Sequence, residues 1–324
     1  MSTARTDAPP QPGPATRAGN RRPTQQRAAG RRTGQGSLTH PSRTGLLLVT
    51  PAVLFVAVFV LIPLGFALVI SLTNWPLIGQ VRFSGLDNYT AIVSDAAFAK
   101  SVLYTLIYTV IVTGPILVLG YALAVLVRRK RRGSTVLRTV FFLPFVVGLS
   151  TLSFVTVLEA QPDSGAINIV LRKLGITDGT TAWLVDGPLA TGLICVLVIW
   201  GVSGLTMMLL MAGMQAIPRE YYESSELDGA TWWQQEREIT IPVLRRTIAM
   251  AVIISVVGSL LAFTQFYILT RGGPGTDTTT VVQYIYNRAF VQLQLGAATA
   301  SSIVLVVVVG LVTAAQFWLL RERD

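Results

Sequence analysis

Polar and apolar positions fall along this chain in long blocks. Six windows hold no Asp, Glu, Lys or Arg over 20 or more residues: 44–81, 101–127, 139–158, 187–218, 247–270 and 289–320. A helix needs about 20 mostly apolar residues to cross a bilayer. Within the windows the apolar cores predict helices at about 45–72, 101–127, 139–158, 188–213, 247–269 and 298–320. Lipid offers no water to an unpaired peptide group, so each segment must close its own backbone hydrogen bonds, as a helix does. One such run could be the buried helix of a soluble core; six in 324 residues could not. Pro51 and Pro63 predict kinks in the first helix, which a membrane helix tolerates.

The first 44 residues are rich in Pro, Gly, Arg, Gln and Thr and nearly lack large apolar side chains. Such a segment buries too little to offset its ordering entropy and is expected to be a disordered tail. The apolar run from Gly45 to Leu72 is nearly twice the roughly 7–15 residues of a secretory signal, so it reads as a retained first span. Twenty of the 26 Lys and Arg residues lie in the tail, the 2–3 connection (Arg128 to Arg138), the 4–5 connection (Arg219 to Arg246) and the C-terminus. The other side holds only Arg82, Lys100, Arg172, Lys173, Arg271 and Arg288. Positive charge favours the cytoplasmic side, which places both termini there.

Composition narrows the function classes. The chain is 52% hydrophobic and 13% charged, against roughly 25% charged for a soluble domain. The net charge of +10 is accounted for by topology, so nucleic acid is not an expected partner. Cys195 is the one cysteine and His40, in the tail, the one histidine, which leaves no intramolecular disulfide, no thiolate zinc site and no buried histidine chemistry. The spans contain no ionisable side chain of the kind that marks proton relays and ion-coupled pathways. There is also no G-x-x-x-x-G-K-[ST] phosphate loop, so energy for active transport would have to come from another subunit.

The 4–5 connection, residues 217–242, carries the most local information. Pro218 suits the first turn of a helix, where its missing N–H is not needed. Glu220 favours the positive end of that helix's dipole. Gly229 can adopt the left-handed conformation that ends a helix. Thr231 and Gln234 have capping-box spacing for a second short helix. Pro242 disfavours helix at Ile241, which predicts a bend before span 5. Two short helices joined at a glycine elbow result. An amphipathic helix lying on lipid is the competing reading.

This segment resembles the EAA loop of ABC importer permeases, in which EAA is followed by three residues, Gly, nine residues and I-x-L-P. Glu223-Ser224-Ser225 stands at the EAA position, Gly229 at the glycine, and Ile239-Thr240-Ile241-Pro242 closes the pattern with both gaps kept. Serine replaces both alanines with little added volume, and Ile241 replaces leucine. Asp228-Gly229-Ala230 is similar to the D-G-A of the carbohydrate branch. Residues 71–75 (SLTNW), 85–89 (GLDNY), 141–144 (FFLP), 270–275 (TRGGPG) and 284–286 (YIY) resemble maltose- and glycerol-phosphate-type sugar permeases, in that order along one chain.

The resemblance implies an all-α polytopic membrane protein: six transmembrane helices over 45–320, with the coupling loop in the cytoplasm and residues 321–324 as a cytoplasmic C-terminus. It implies no catalysis and no cofactor, ATP being bound by a partner. The implied partners are a second permease subunit in a heterodimer, two ATP-binding cassette ATPase subunits and an extracellular solute-binding protein. The implied cargo is a sugar, and the implied location is the plasma membrane. Glu223, Ser224, Ser225, Asp228, Gly229, Ala230, Ile239 and Pro242 would couple to the ATPase. Trp200, Ser203, Ser255 and Ser259 are the candidates for the substrate path, Ser255 and Ser259 lying at i,i+4 on one helix face. Membrane serines that bond back to their own helix are the plainer alternative for those positions. A non-sugar solute such as a polyamine, a stand-alone secondary carrier and a membrane scaffold remain alternatives.

Overall fold

The computed structural model describes residues 42–76, 80–128 and 133–320, so most of the tail expected to be disordered lies outside the described residues. The chain forms two units, Met1–Leu54 and Phe55–Asp324. The described part of the first unit is helical and belongs to α1 (Ser42–Val56), which contains Pro51. The second unit continues with a π-helical turn, Ala57–Leu61, and α2 (Ile62–Ser71).

A two-strand antiparallel ribbon, β1 (Thr73–Asn74) with β2 (Arg82–Phe83), precedes α3 (Asp87–Ser94) and the long α4 (Ala96–Val127). Next come α5 (Ser134–Val147), α6 (Leu149–Glu159), α7 (Ala166–Lys173) and α8 (Gly187–Gln215). The connection that follows is built from α9 (Arg219–Leu227), α10 (Trp232–Gln235), a π-helical turn Glu236–Thr240 and α11 (Ile241–Val243). The chain closes with α12 (Arg245–Leu260), α13 (Thr264–Leu269), α14 (Val281–Tyr286), a third π-helical turn Asn287–Val291 and α15 (Leu295–Leu320).

Five stretches are long and apolar enough to cross a membrane: Leu47–Ser71, Ala96–Val127, Gly187–Gln215, Arg245–Leu269 and Leu295–Leu320. The sixth differs from the expected single helix over 139–158. It is the pair α5 and α6, bent by 90°. Gly148 stands at the bend with φ +85°, a conformation other side chains avoid, and its N–H is bonded to the carbonyl of Pro144. The helix expected over 247–269 is likewise interrupted, between Leu260 and Thr264.

Two π-helical turns sit immediately before prolines. Ile62 N–H bonds to the carbonyl of Ala57 just ahead of Pro63, and Ile241 N–H bonds to that of Glu236 just ahead of Pro242. A proline ring collides with the carbonyl four residues earlier in a regular helix. The widened turn moves that carbonyl aside and lets the helix continue. Ile241 is therefore helical (φ −64°, ψ −46°), and the bend expected before Pro242 is replaced by a π-helical turn.

The interior lies between α4 and α8, the most extensively packed helix pair. Near one end Tyr108, Val112, Ile116, Ile194, Val198 and Phe266 form a buried cluster. Near the end that carries residues 216–244, a second cluster combines Ala124, Val127, Met207, Leu210, Met211 and Leu244. Backbones come close across these helices: a Cβ on Gly204 of α8 would lie 2.4 Å from the carbonyl oxygen of Phe141 in α5. Small residues at helix crossings are the usual means of tight packing in lipid. Outward-facing apolar side chains such as Val110 and Val118 are more than 70% exposed, as expected where acyl chains replace water.

Candidate functional site

Helix α9 starts after Pro218, which is the N-cap rather than a first-turn residue, with φ −59° and ψ +140°. The helix ends at Gly229, whose φ is +80°. Gly229 N–H bonds to the carbonyl of Glu226 at 3.1 Å, and Ala230 N–H to that of Ser225 at 2.9 Å. This pairing is the Schellman closure that a left-handed glycine permits. Thr231 then caps α10 reciprocally with Gln234: Gln234 N–H donates to Thr231 Oγ1, and Thr231 N–H donates to Gln234 Oε1 at 2.7 Å. The chain thus forms a helix, an elbow and a second helix within about 18 residues.

The sequence-derived residues divide by exposure. Glu223, Ser224, Asp228, Gly229 and Pro242 are exposed, while Ser225, Ala230 and Ile239 are half-buried. Leu227, which the sequence reading passed over, is 90% exposed at the end of α9. A large apolar side chain this open, on a helix that also exposes Tyr221, suits a surface that another protein covers. Ser225 faces inward and accepts a hydrogen bond from Gln235 Nε2 at 3.1 Å, which ties α9 to α10.

The loop is fastened to the helix bundle by residues that sequence reasoning missed. Glu236 is 1% exposed, and its Oε2 accepts from Tyr121 Oη at 2.6 Å. Its Oε1 pairs with the guanidinium of Arg128. Arg128 also lies over the ring of Tyr222 at 5.7 Å, and the Tyr222 hydroxyl is 2.9 Å from Thr240 Oγ1. Around these polar groups Ile217, Tyr222, Ile239 and Leu244 pack against Val127, Met211 and Met214. The one cue in the sequence was a glutamate three positions before Ile239 and six before Pro242, within a run that otherwise reads as a solvated face.

The four substrate-path candidates lie on two helices. Trp200 on α8 is 53% exposed. Ser203 is buried and donates its hydrogen bond to the carbonyl of Ile199, one turn earlier. On α12, Ser255 and Ser259 are both buried. The Ser255 hydroxyl has no hydrogen-bond partner among the described residues.

The other end of the bundle has its own polar node. Asp95 caps α4 by accepting from Ala97 N–H at 2.8 Å, and it accepts from Tyr284 Oη at 2.7 Å and from Arg288. Burial pulls the Asp95 carboxyl up, but the hydrogen bonds from Tyr284, Ala97 and Arg288, with the arginine's charge, hold it below its ordinary value. Burial and the bond to Asp95 push the Tyr284 phenol up to about 12.

Residues 116–322 match the family described as the binding-protein-dependent transport system inner membrane component. A probable ABC transporter permease of Pyrococcus horikoshii is 33% identical over 82% of this chain and 91% of its own length. The lactose transport system permease protein LacF of Rhizobium radiobacter is 32% identical over 86% of this chain and 94% of its own. The fold is similar to a chain in the crystal structure of a bacterial alginate ABC transporter in complex with an alginate pentasaccharide-bound periplasmic protein. That match has a TM-score of 0.75 at 21% identity and covers 86% of this chain and 95% of the other.

Proposed function

Because this chain belongs to the family of inner membrane components of binding-protein-dependent transport systems, we propose that it is one permease of a heterodimeric, ATP-driven sugar importer. The chain is a transport component and not an enzyme. A second permease completes the translocation path, one of two ATPase subunits docks on the connection between α8 and α12, and a solute-binding protein delivers cargo at the opposite end. The twenty-to-six division of Lys and Arg puts the docking loop and both termini in the cytoplasm.

The observation that carries this reading is the loop's construction. An exposed surface of Tyr221, Glu223, Ser224, Leu227 and Asp228 stands on two short helices with a fixed elbow. That unit is bolted to α4 through a buried carboxylate. A body that converts ATPase closure into helix tilt must be stiff and must be attached to the spans, and this one is both. Gly229 and Ala230 set the elbow, while Ile239 and Pro242 guide the exit into α12.

A neutral polyol as cargo agrees with spans that hold no carboxylate to balance a polycation. Sugar permeases among the relatives support the same class. Within the path, Ser255 is the strongest of the four candidates, because its buried hydroxyl has a bond to make. Ser203 has its hydrogen committed to its own helix, and Trp200 offers a flat apolar face.

The test is reconstitution of the complete complex in proteoliposomes with its solute-binding protein. Binding protein preloaded from a panel of neutral mono- and disaccharides should stimulate ATP hydrolysis, and preloading with spermidine should not. Stimulation by spermidine alone, or uptake by this chain alone under an ion gradient, would contradict the proposal.

A further inference from the structure

The docking loop is joined covalently to α8 and α12, the helices it connects. Helix α4 has no such tie, yet it packs along α8 and α12 through the middle of the bundle. For α4 to follow the loop, a non-covalent link must resist sliding. Apolar packing resists separation but has little directional preference. The link in this structure is polar and bidirectional: Tyr121 on α4 and Arg128, the C-cap that continues its helical turn, stand at i and i+7, two turns apart on one face, and both bind the carboxylate of Glu236. A carboxylate held at both oxygens cannot move along α4, or roll about it, without breaking one bond.

Stability does not explain the arrangement. Taking a carboxylate and a guanidinium out of water is costly, and an apolar pair of similar volume is often as stable or more so. What the charged clamp supplies is geometry. Arg128 stacks on Tyr222 of α9 while gripping Glu236 of the π-helical turn, and Tyr222 closes back on Thr240 of that same turn. Both halves of the loop therefore meet α4 at one point.

We infer that Glu236 is a positioning residue, and that its clamp by Tyr121 and Arg128 is the joint through which movement of the docking loop reaches α4. This rests on the reading of the loop as the ATPase-coupling element. The joint works by direction and register, so it is distinct from the exposed face that meets the ATPase.

The experiment uses the full complex in nanodiscs, with spin labels at Val110 on α4 and Val306 on α15, both exposed positions away from the loop. Distances are recorded without nucleotide and after trapping with ATP and vanadate. Two variants are compared with the parent: Tyr121→Phe, and Glu236→Met combined with Arg128→Met. The Met pair removes both charges together, so neither is left buried alone. Both variants should bind the ATPase and hydrolyse ATP, while the fraction of complexes in which the label distance shifts falls roughly fivefold or more. A shift equal to the parent's in either variant overturns the joint and leaves the clamp as packing. Loss of ATPase association from the parent itself would instead contradict the coupling reading of the loop.

Discussion

Arg128 and Glu236 lie 108 positions apart in the chain and form an ion pair in which the glutamate side chain is 1% exposed and the arginine side chain 17%. The pair is asymmetric: the arginine keeps a path to water and the glutamate does not. Each partner's removal therefore has a different consequence.

Arg128→Ala leaves Glu236 buried with Tyr121 as its main donor, and breaking a buried pair in this way costs about 3–5 kcal/mol. Glu236→Gln keeps an acceptor for Tyr121 and leaves an arginine that can turn toward solvent, so its cost should be smaller. Thermal unfolding of the detergent-solubilised protein should rank the parent above Glu236→Gln and Glu236→Gln above Arg128→Ala. The reverse order would mean that the arginine, not the carboxylate, is the stranded charge.

At Gly229 an added Cβ would meet nothing within 4 Å, so substitution there is a matter of backbone strain and not of collision. Valine at a φ of +80° is a genuine outlier, with a strain of about 1–3 kcal/mol. Asparagine tolerates the left-handed region. Gly229→Val should reach the membrane in near-normal amounts but support little ATP-dependent transport, whereas Gly229→Asn should retain much of it. Abundance by immunoblot and vesicle uptake of the sugar identified by the binding-protein panel check both.

The Asp95 node predicts an acid limb. A carboxyl held below its ordinary value of 3.8 contributes stability that is complete above that value and is lost as pH falls through the lower folded one. The Tyr284 phenol, raised to about 12, contributes stability that is present below the ordinary phenol value and lost as pH rises through its own. The node should thus be indifferent across roughly pH 5–9. Thermal scans of the parent and Asp95→Asn should differ by a constant amount over that range and begin to converge only as pH falls below the ordinary carboxyl value of 3.8. A difference that changes near neutrality would contradict the assignment.

Much of the architecture could be read from the sequence because its signal is local. A charge-free window of 20 residues leaves few options in any environment, and the glycine elbow is marked by Pro218, Gly229, Thr231 and Gln234 within one short stretch. The 90° bend at Gly148 was hidden because a glycine inside an apolar window is tolerated in membrane helices; its distinguishing sign was Pro144 four residues earlier. The helical state of Ile241 ran against the rule for residues before proline, since that rule does not allow for a π-helical turn. The clamp was illegible for another reason. Tyr121, Arg128 and Glu236 are distant in the chain, Arg128 opens a run of basic residues that topology alone explains, and Glu236 sits in a stretch that looks solvated.

The charge division predicts sidedness directly. Cys195 is buried, so the background of an impermeant maleimide on intact cells should be low. Single cysteines at exposed Asp178 and Thr276 should react, while those at Gly133 and Leu227 should react only after the membrane is opened. Labelling of Gly133 in intact cells would reverse the orientation.

The central claim is that residues 218–242 are where the ATPase docks, and site-specific photocrosslinking reads it most directly. A benzophenone side chain placed at Leu227, the most exposed apolar residue of the loop, should give a covalent adduct with the ATPase subunit in the assembled complex. The same group at Phe83, 80% exposed at the opposite end, should not. An ATPase adduct from Phe83, or none from Leu227 in a complex that still hydrolyses ATP, would contradict the account.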